Sequence, residues 1–401
     1  MLYNWQLQDW PNFTFDPQGI TDRLHGFYEK AGMISGVVRG LPEETRIEAI
    51  IEIMVIEAIK TSEIEGEFLN RDDVRSSIKN ALGLNTYLEH VRDKRSDGIG
   101  HLIIDVRQTF AAPLTAEKLF AWHSMLLHHD THIKVGGWRD HSEPMQIVSG
   151  AMGRTVVHFE APPSTDVPRE MEQFLKWFND TAPDKPGDLK SAPVRSAIAH
   201  LYFESIHPFE DGNGRIGRAI AEKALSQGIG RPALLSLSRT IELNKNAYYK
   251  ALQRAQNSME ITEWVSYFAD VVVEAQEFAE QQVDFALTKT LFFDKYGDLL
   301  NNRQLKVVKR MLAEGSDGFK GGLNASKYGS IVKGAKATVT RDLQDMLAKG
   351  VIVPFGEGGG RSTKYQLNLV DKTVPSDLIR EQTNEEPKIE GQESHTRGLR
   401  R

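Results

Sequence analysis

Ile206-His207-Pro208-Phe209-Glu210-Asp211-Gly212-Asn213-Gly214-Arg215-Ile216-Gly217-Arg218 brings an imidazole, an acid at Asp211, three glycines and two arginines into one short stretch. Upstream, Pro193 to Ile206 reads as helix: proline suits a first turn, and Val194, Ala197, Ile198 and Leu201 share a face. Downstream, Arg215 to Leu225 again shows helical spacing, through Ile216, Ile220 and Leu225. Between the two, glycines free the backbone to curl, so that successive N–H groups aim at one anion. The curl ends on a helix N-terminus, whose dipole favours negative charge. His207 then stands at the lip of a phosphate cradle, and Asp211 can offer oxygens to a magnesium ion. Arg215 and Arg218, three apart, can clamp outer phosphates from one side of the helix. Gly212-x-Gly214-x-x-Gly217 also spells the dinucleotide fingerprint, but that site requires a preceding strand, and here a helix precedes.

The string from His207 to Arg218 resembles the signature of the Fic family, whose best-known members transfer AMP from ATP to a hydroxyl side chain of a protein. The resemblance implies that His207 is the general base for the target hydroxyl, that Phe209 anchors the loop in the core and that Asp211 holds Mg2+. It implies an anion hole of Gly212, Asn213 and Gly214, a nucleotide-binding turn continuing through Ile216 and Gly217, and phosphate contacts from Arg215 and Arg218. Gly214 stands where the related phosphotransferase branch has lysine, which favours nucleotidyl transfer.

Thr61-Ser62-Glu63-Ile64-Glu65-Gly66 resembles the same family's inhibitory motif and closes a helix that begins near Glu43. Thr61 and Glu65, four apart, share a face, and Gly66 suits a helix stop. The resemblance implies that Glu65 pairs with Arg218 and keeps the γ-phosphate from its productive pose, within one chain or from a second copy. Self-association stays open on this reading. So does the reverse reaction, in which the same glutamate activates water to remove AMP.

Met145 to Val148 and Arg154 to Phe159 are short β-prone runs joined by Ser149-Gly150-Ala151-Met152-Gly153, a hairpin pattern. In the family such a hairpin is the flap that receives the target by strand pairing, which points to Val156, Val157, His158 and Phe159. An ordinary surface hairpin is the plainer alternative. Relatives carry a tyrosine pair and a polar residue after the motif helix, here Tyr248, Tyr249 and Gln256, the last where asparagine is expected. These are candidates for contact with the nucleotide base, although tyrosines at helical spacing more often belong to a core. His123, His128, His129 and His132 crowd one region, yet no HExxH string occurs, and a solvated or helix-capping role is expected for them.

At 401 residues with 40% hydrophobic and 26% charged content, the chain is that of a multi-domain globular protein. The absence of cysteine excludes disulfides, thiolate metal sites and a cysteine nucleophile. Residues 1–17 lack the apolar run of a signal peptide, and the apolar helix over Ile47 to Ile59 is too short and too acidic to span a bilayer, so a cytoplasmic protein without membrane contact is expected. A net charge of -6 offers no whole-chain argument for nucleic acid.

Composition divides the chain into an aromatic-rich N-terminal region (1–95), a helical core (96–275), a linker helix with a further module (276–370) and a polar tail expected to be disordered (371–401). The further module reads as three helices followed by Val351 to Phe355 and Lys364 to Leu367, the profile of a winged helix-turn-helix. Lys336, Arg341, Arg361 and Lys364 suit phosphate contacts, but Asp342 and Asp345 on the same helix weaken a DNA-binding face. The expectation is a mainly α-helical protein with a small β-hairpin flap and a C-terminal winged helix. It is expected to transfer AMP from Mg-ATP to a Ser, Thr or Tyr hydroxyl of a protein target. The alternative is a nucleotide-sensing, DNA-binding regulator.

Overall fold

The computed structural model describes residues 2–149, 156–315, 318–356 and 363–369. The chain divides into two compact units, residues 1–287 and 288–401. In chain order the first runs α1 (Thr21–Gly40), α2 (Glu43–Ile64), α3 (Arg71–Ala81), α4 (Lys94–Gln108), α5 (Ala116–Leu127), β1 (Gln146–Ser149), β2 (Val156–Glu160), α6 (Val167–Asp180), α7 (Ala192–Ile206), α8 (Asn213–Ile229), α9 (Leu237–Leu243) and α10 (Lys245–Ala255). The division falls within α11 (Thr262–Tyr296). No described helix is long and apolar enough to cross a membrane.

α7 is the axis of the first unit, and every one of its residues is buried. A helix with no solvent face must satisfy its polar side chains internally. Arg195 accordingly donates to Phe178 O and Thr181 Oγ1, and Ser196 Oγ to Ala221 O at 2.8 Å. Around it, α4, α5, α6 and α8 contribute Leu102, Trp122, Phe174, Phe178 and Ile220 to a continuous core. The aromatic opening of the chain seals one side. Trp10 stands edge-on to Tyr202 at 5.0 Å, Asn4 donates to Ser205 Oγ at 2.8 Å, and the Trp5 indole donates to Glu160 O at 2.7 Å.

α2 stops where its sequence says it should. Glu65 leaves helical geometry, Gly66 takes φ +83, and the Glu67 amide reaches back to Ser62 O at 2.9 Å. A left-handed glycine after the last turn is the common way to satisfy terminal carbonyls. β1 and β2 pair antiparallel, Gln146 opposite Glu160 and Val148 opposite Val157, with one register shift after Ile147. The expected connection over 150–155 lies outside the described residues.

The second unit holds α12 (Asn302–Leu312), α13 (Ala325–Val332), α14 (Lys336–Ala348), β3 (Ile352–Pro354) and β4 (Tyr365–Leu367). β3 pairs antiparallel with β4, and Leu323 bridges to Tyr365. Val307, Met311, Tyr328, Val339, Met346 and Ile352 are buried within it. Arg361 and the residues from 370 onward lie outside the described residues.

Candidate active site

The loop between α7 and α8 is held in a shape that costs backbone energy. His207 ends α7 in the left-handed region (φ 51, ψ 60), unfavourable for a residue with a Cβ. The buried guanidinium of Arg139 offsets this: its Nε donates to His207 O at 2.8 Å, and its other nitrogens reach Pro162 O, Ile206 O and Ser164 Oγ. With no carboxylate beside it, burial pushes Arg139 down to about 10. Phe209 is fully buried and stacks on His123 at 4.2 Å, nearly parallel. His123 Nδ1 accepts from the Gly136 amide at 3.0 Å, and burial keeps its imidazole below the usual range. It is thus neither solvated nor a cap, contrary to the expectation for the histidine cluster; only His128 ends a helix, with Nδ1 near Met125 O. Among the described residues no group of three His, Cys, Asp or Glu could hold a metal ion.

The three glycines divide their work. Only Gly212 has a positive φ (+80), capping α8 where the chain turns. Gly214 and Gly217 are helical and matter for close approach: a Cβ on Gly214 would overlap Glu65 Oε1, and one on Gly217 would overlap Glu204 Oε1. Asn213 is buried and staples the loop, accepting from the Phe209 amide at 2.9 Å and donating to Phe209 O at 2.8 Å, so its side chain does not face an anion. Ile216 is core, and its amide bonds to Gly212 O. That leaves the amides of Asn213, Gly214 and Arg215, which have no carbonyl within the helix to bond, as the donors at its mouth.

Both motif arginines already hold carboxylates. Arg218, 2% exposed, donates through Nη2 to Glu65 Oε1 at 2.7 Å and to Thr61 O at 2.9 Å, and through Nε to Thr61 Oγ1 at 2.8 Å. Burial, the largest single influence, lowers the Arg218 pKa, but the charge and hydrogen bond of Glu65, together with Tyr248 and Glu204, outweigh it and raise it. Arg215 is equally buried and bonds Glu67 Oε2 at 2.9 Å and Asp211 Oδ2 at 3.4 Å. Glu67 was not among the expected residues; its signal is only a second acid two positions beyond the first. Asp211 keeps about half its side chain exposed, and the Gly212 amide donates to it at 2.6 Å. One open carboxylate beside a phosphate cradle fits Mg2+, which commonly takes one or two carboxylates and completes its shell with phosphate and water.

Glu204 is a further residue that sequence reading passed over. It is fully enclosed one turn before His207, with Oε2 3.6 Å from His207 Nδ1. Neither that nitrogen, nor Glu204 Oε1, nor His200 Nδ1 has a hydrogen-bond partner. Burial pushes the Glu204 carboxyl up, but the facing His207 and the charges of His200 and Arg218 outweigh it and hold it below the usual range.

Of the base-contact candidates, Tyr248 is buried with its hydroxyl 2.8 Å from His200 Nε2, and Gln256 is buried with Nε2 on Glu204 O. Both are therefore core residues. Tyr249 is the open one, 41% exposed, its hydroxyl pushed up to about 12 by burial and the Glu65 charge. On the flap, Val156 and Val157 are exposed, whereas the Phe159 side chain is buried against Tyr3 and anchors the strand.

A glycine-capped helix mouth, an imidazole at its edge and two buried arginines thus meet at the start of α8. Residues 113–225 match the model of the Fic/DOC family. Residues 3–84 match a domain of unknown function, DUF4172. A probable protein adenylyltransferase of Aquifex aeolicus is 30% identical over 142 residues, 35% of this chain and 36% of that one. A protein adenylyltransferase Fic of Nematostella vectensis is 24% identical, over 38% of this chain and 32% of that one. A uridine 5'-monophosphate transferase of Xanthomonas campestris is 26% identical, over 29% of this chain and 22% of that one. The chain spans about a third of the length of the first two of these relatives. Among solved structures, a Fic family protein from Desulfovibrio desulfuricans covers 90% of this chain and 99% of its own, at 19% identity and a TM-score of 0.47.

Proposed function

We propose that this protein transfers AMP from ATP to a Ser, Thr or Tyr hydroxyl of a protein target, and that Glu65 restrains it. The observation that carries the reading is the occupation of Arg218 and Arg215 by Glu65 and Glu67 at the mouth of α8. Carboxylates there sit where a ligand's phosphate charge would sit. The adenylyltransferase names of the relatives support AMP as the transferred group, and the uridylyl name of another makes the base a variable to test.

In the proposed step the target hydroxyl gives its proton to His207 Nε2 while its oxygen bonds to the α-phosphorus. The bond from that phosphorus to the bridging oxygen breaks, and pyrophosphate leaves with the electron pair. The amides of Asn213, Gly214 and Arg215 stabilise the charge that develops on the phosphoryl oxygens. Asp211 would hold Mg2+, which supplies charge neutralisation of the phosphates when bound. The exposed flap residues Val156 and Val157 offer the target a strand partner.

The test is mass spectrometry after incubation with ATP labelled at the α or γ position, using the wild type, Glu65→Gly and His207→Ala. An adduct of AMP mass carrying only the α label, strongest in Glu65→Gly and absent in His207→Ala, is expected. An adduct undiminished in His207→Ala would overturn the reading.

A further inference from the structure

Charge in this chain is segregated. Residues 300–369 carry twelve Lys and Arg against five Asp and Glu, a net of +7, whereas residues 1–299 carry a net of -12. Such asymmetry within a near-neutral total is a mark of nucleic-acid contact by one part of a chain. The objection from sequence was that Asp342 and Asp345 share a helix with the candidate cations. The structure removes it. Asp342 is 3% exposed and turned inward, receiving both Arg303 Nε and Nη2 at 2.8 Å and the Tyr328 hydroxyl at 3.0 Å. Arg303 holds its carboxyl below the usual range. Asp345 is matched by Lys349 at 2.6 Å, and Glu314 by Arg310. Every described carboxylate of 300–369 is therefore neutralised from within.

The outward arc of α14 is different. Lys336, Thr340, Arg341 and Gln344 are exposed, while Val339, Leu343 and Met346 face the core. Lys333, exposed in the turn from α13 to α14, adds a cation at the helix entrance. Among the described residues none of Lys333, Lys336 and Arg341 has an ion-pair partner. One helix thus presents cations at its start and, further along the same arc, an arginine and a glutamine, the side chains suited to guanine and adenine edges.

We propose that the second unit binds duplex DNA, with α14 in the major groove, Lys333 and Lys336 on phosphates, and Arg341 and Gln344 toward base edges. An RNA duplex is disfavoured, because its major groove is too deep and narrow to admit a helix. This site is separate from the phosphate cradle, so its test does not depend on the AMP-transfer reading.

The experiment is fluorescence anisotropy of the full chain with a labelled 30-base-pair DNA duplex between 50 and 200 mM KCl, with an RNA duplex alongside. Binding in the micromolar range at low salt is expected, weakening steeply as salt rises. Lys333→Ala and Lys336→Ala should each reduce the slope of log affinity against log salt by about one. Lys79→Ala, which removes a cation from α3, should leave it unchanged. Arg341→Ala should narrow the difference in affinity among duplexes of different sequence. The proposal is overturned if the wild type shows no DNA binding at 50 mM KCl, or if RNA binds as tightly as DNA. Unaltered binding by a triple Lys333, Lys336, Arg341 alanine variant that melts at the wild-type temperature would also overturn it.

Discussion

Replacing Glu65 by glycine should raise the proposed transfer activity, and the structure sets the size of the increase. Glu65 bonds a buried guanidinium at 2.7 Å while about a quarter of its own side chain remains exposed. A hydrogen bond to a charged group contributes about 1.5–3 kcal/mol. Displacing the carboxylate before a phosphate can use Arg218 then lowers kcat/KM by roughly 10- to 150-fold, since 1.4 kcal/mol is a factor of ten. Glu65→Gly should recover that factor in initial rates of α-label transfer at subsaturating ATP. Glu65→Gln, which keeps the shape but not the charge, should recover an intermediate share. The reasoning fails if Glu65→Gly changes the rate less than threefold while ATP still protects the chain from thermal unfolding. It also fails if Arg218→Ala proves as active as Glu65→Gly, because the glutamate would then restrain something other than that arginine.

Three further outcomes follow from the same geometry. Glu67→Gln should raise the rate less than Glu65→Gly, because Arg215 keeps Asp211, and the double variant should exceed either single one in a mutant cycle. Glu204→Gln should lower kcat by roughly 10- to 100-fold with little change in KM, since the carboxylate facing His207 Nδ1 is lost; a kcat within threefold of the wild type would refute it. Burial raises Glu222 to about 7, so its carboxyl binds a proton more tightly folded than unfolded. Its contribution to stability is present below about pH 4.5 and is lost as pH rises through 7, and melting of Glu222→Gln should show a flatter dependence over that window.

Much of the architecture was readable because it rests on local rules. Proline in the first turn of α7, glycine after α2 and β-prone runs around a glycine-rich turn each act through their own backbone, and each element lies within a few residues of its expected position. What escaped was long-range and polar. Arg139 and His207 are 68 residues apart, Arg215 and Glu67 are 148 apart, and nothing near either arginine in sequence names its partner. Glu204 was passed over because the total enclosure of α7 depends on other elements closing around it. The glycines were legible as a group but not individually: two of the three serve neighbours' carboxylates rather than their own backbone.

The proposed inhibition and the stability of the fold should be coupled at Arg218. A guanidinium so enclosed needs an anion, and removing one partner of a buried pair typically costs more than the pair itself contributes. Thr61 supplies only neutral oxygens, so among the described residues Glu65 is the one formal charge bonded to it. The carboxylate proposed to block the γ-phosphate therefore also compensates that enclosed charge when no nucleotide is bound. Glu65→Gly should gain activity and lose its internal anion together, and a nucleotide triphosphate should restore the balance by occupying the vacated place. Stabilisation by ligand grows with its affinity for the folded state. ATP should then raise the melting temperature of Glu65→Gly more than that of the wild type, whereas AMP, which lacks the outer phosphates, should raise both alike.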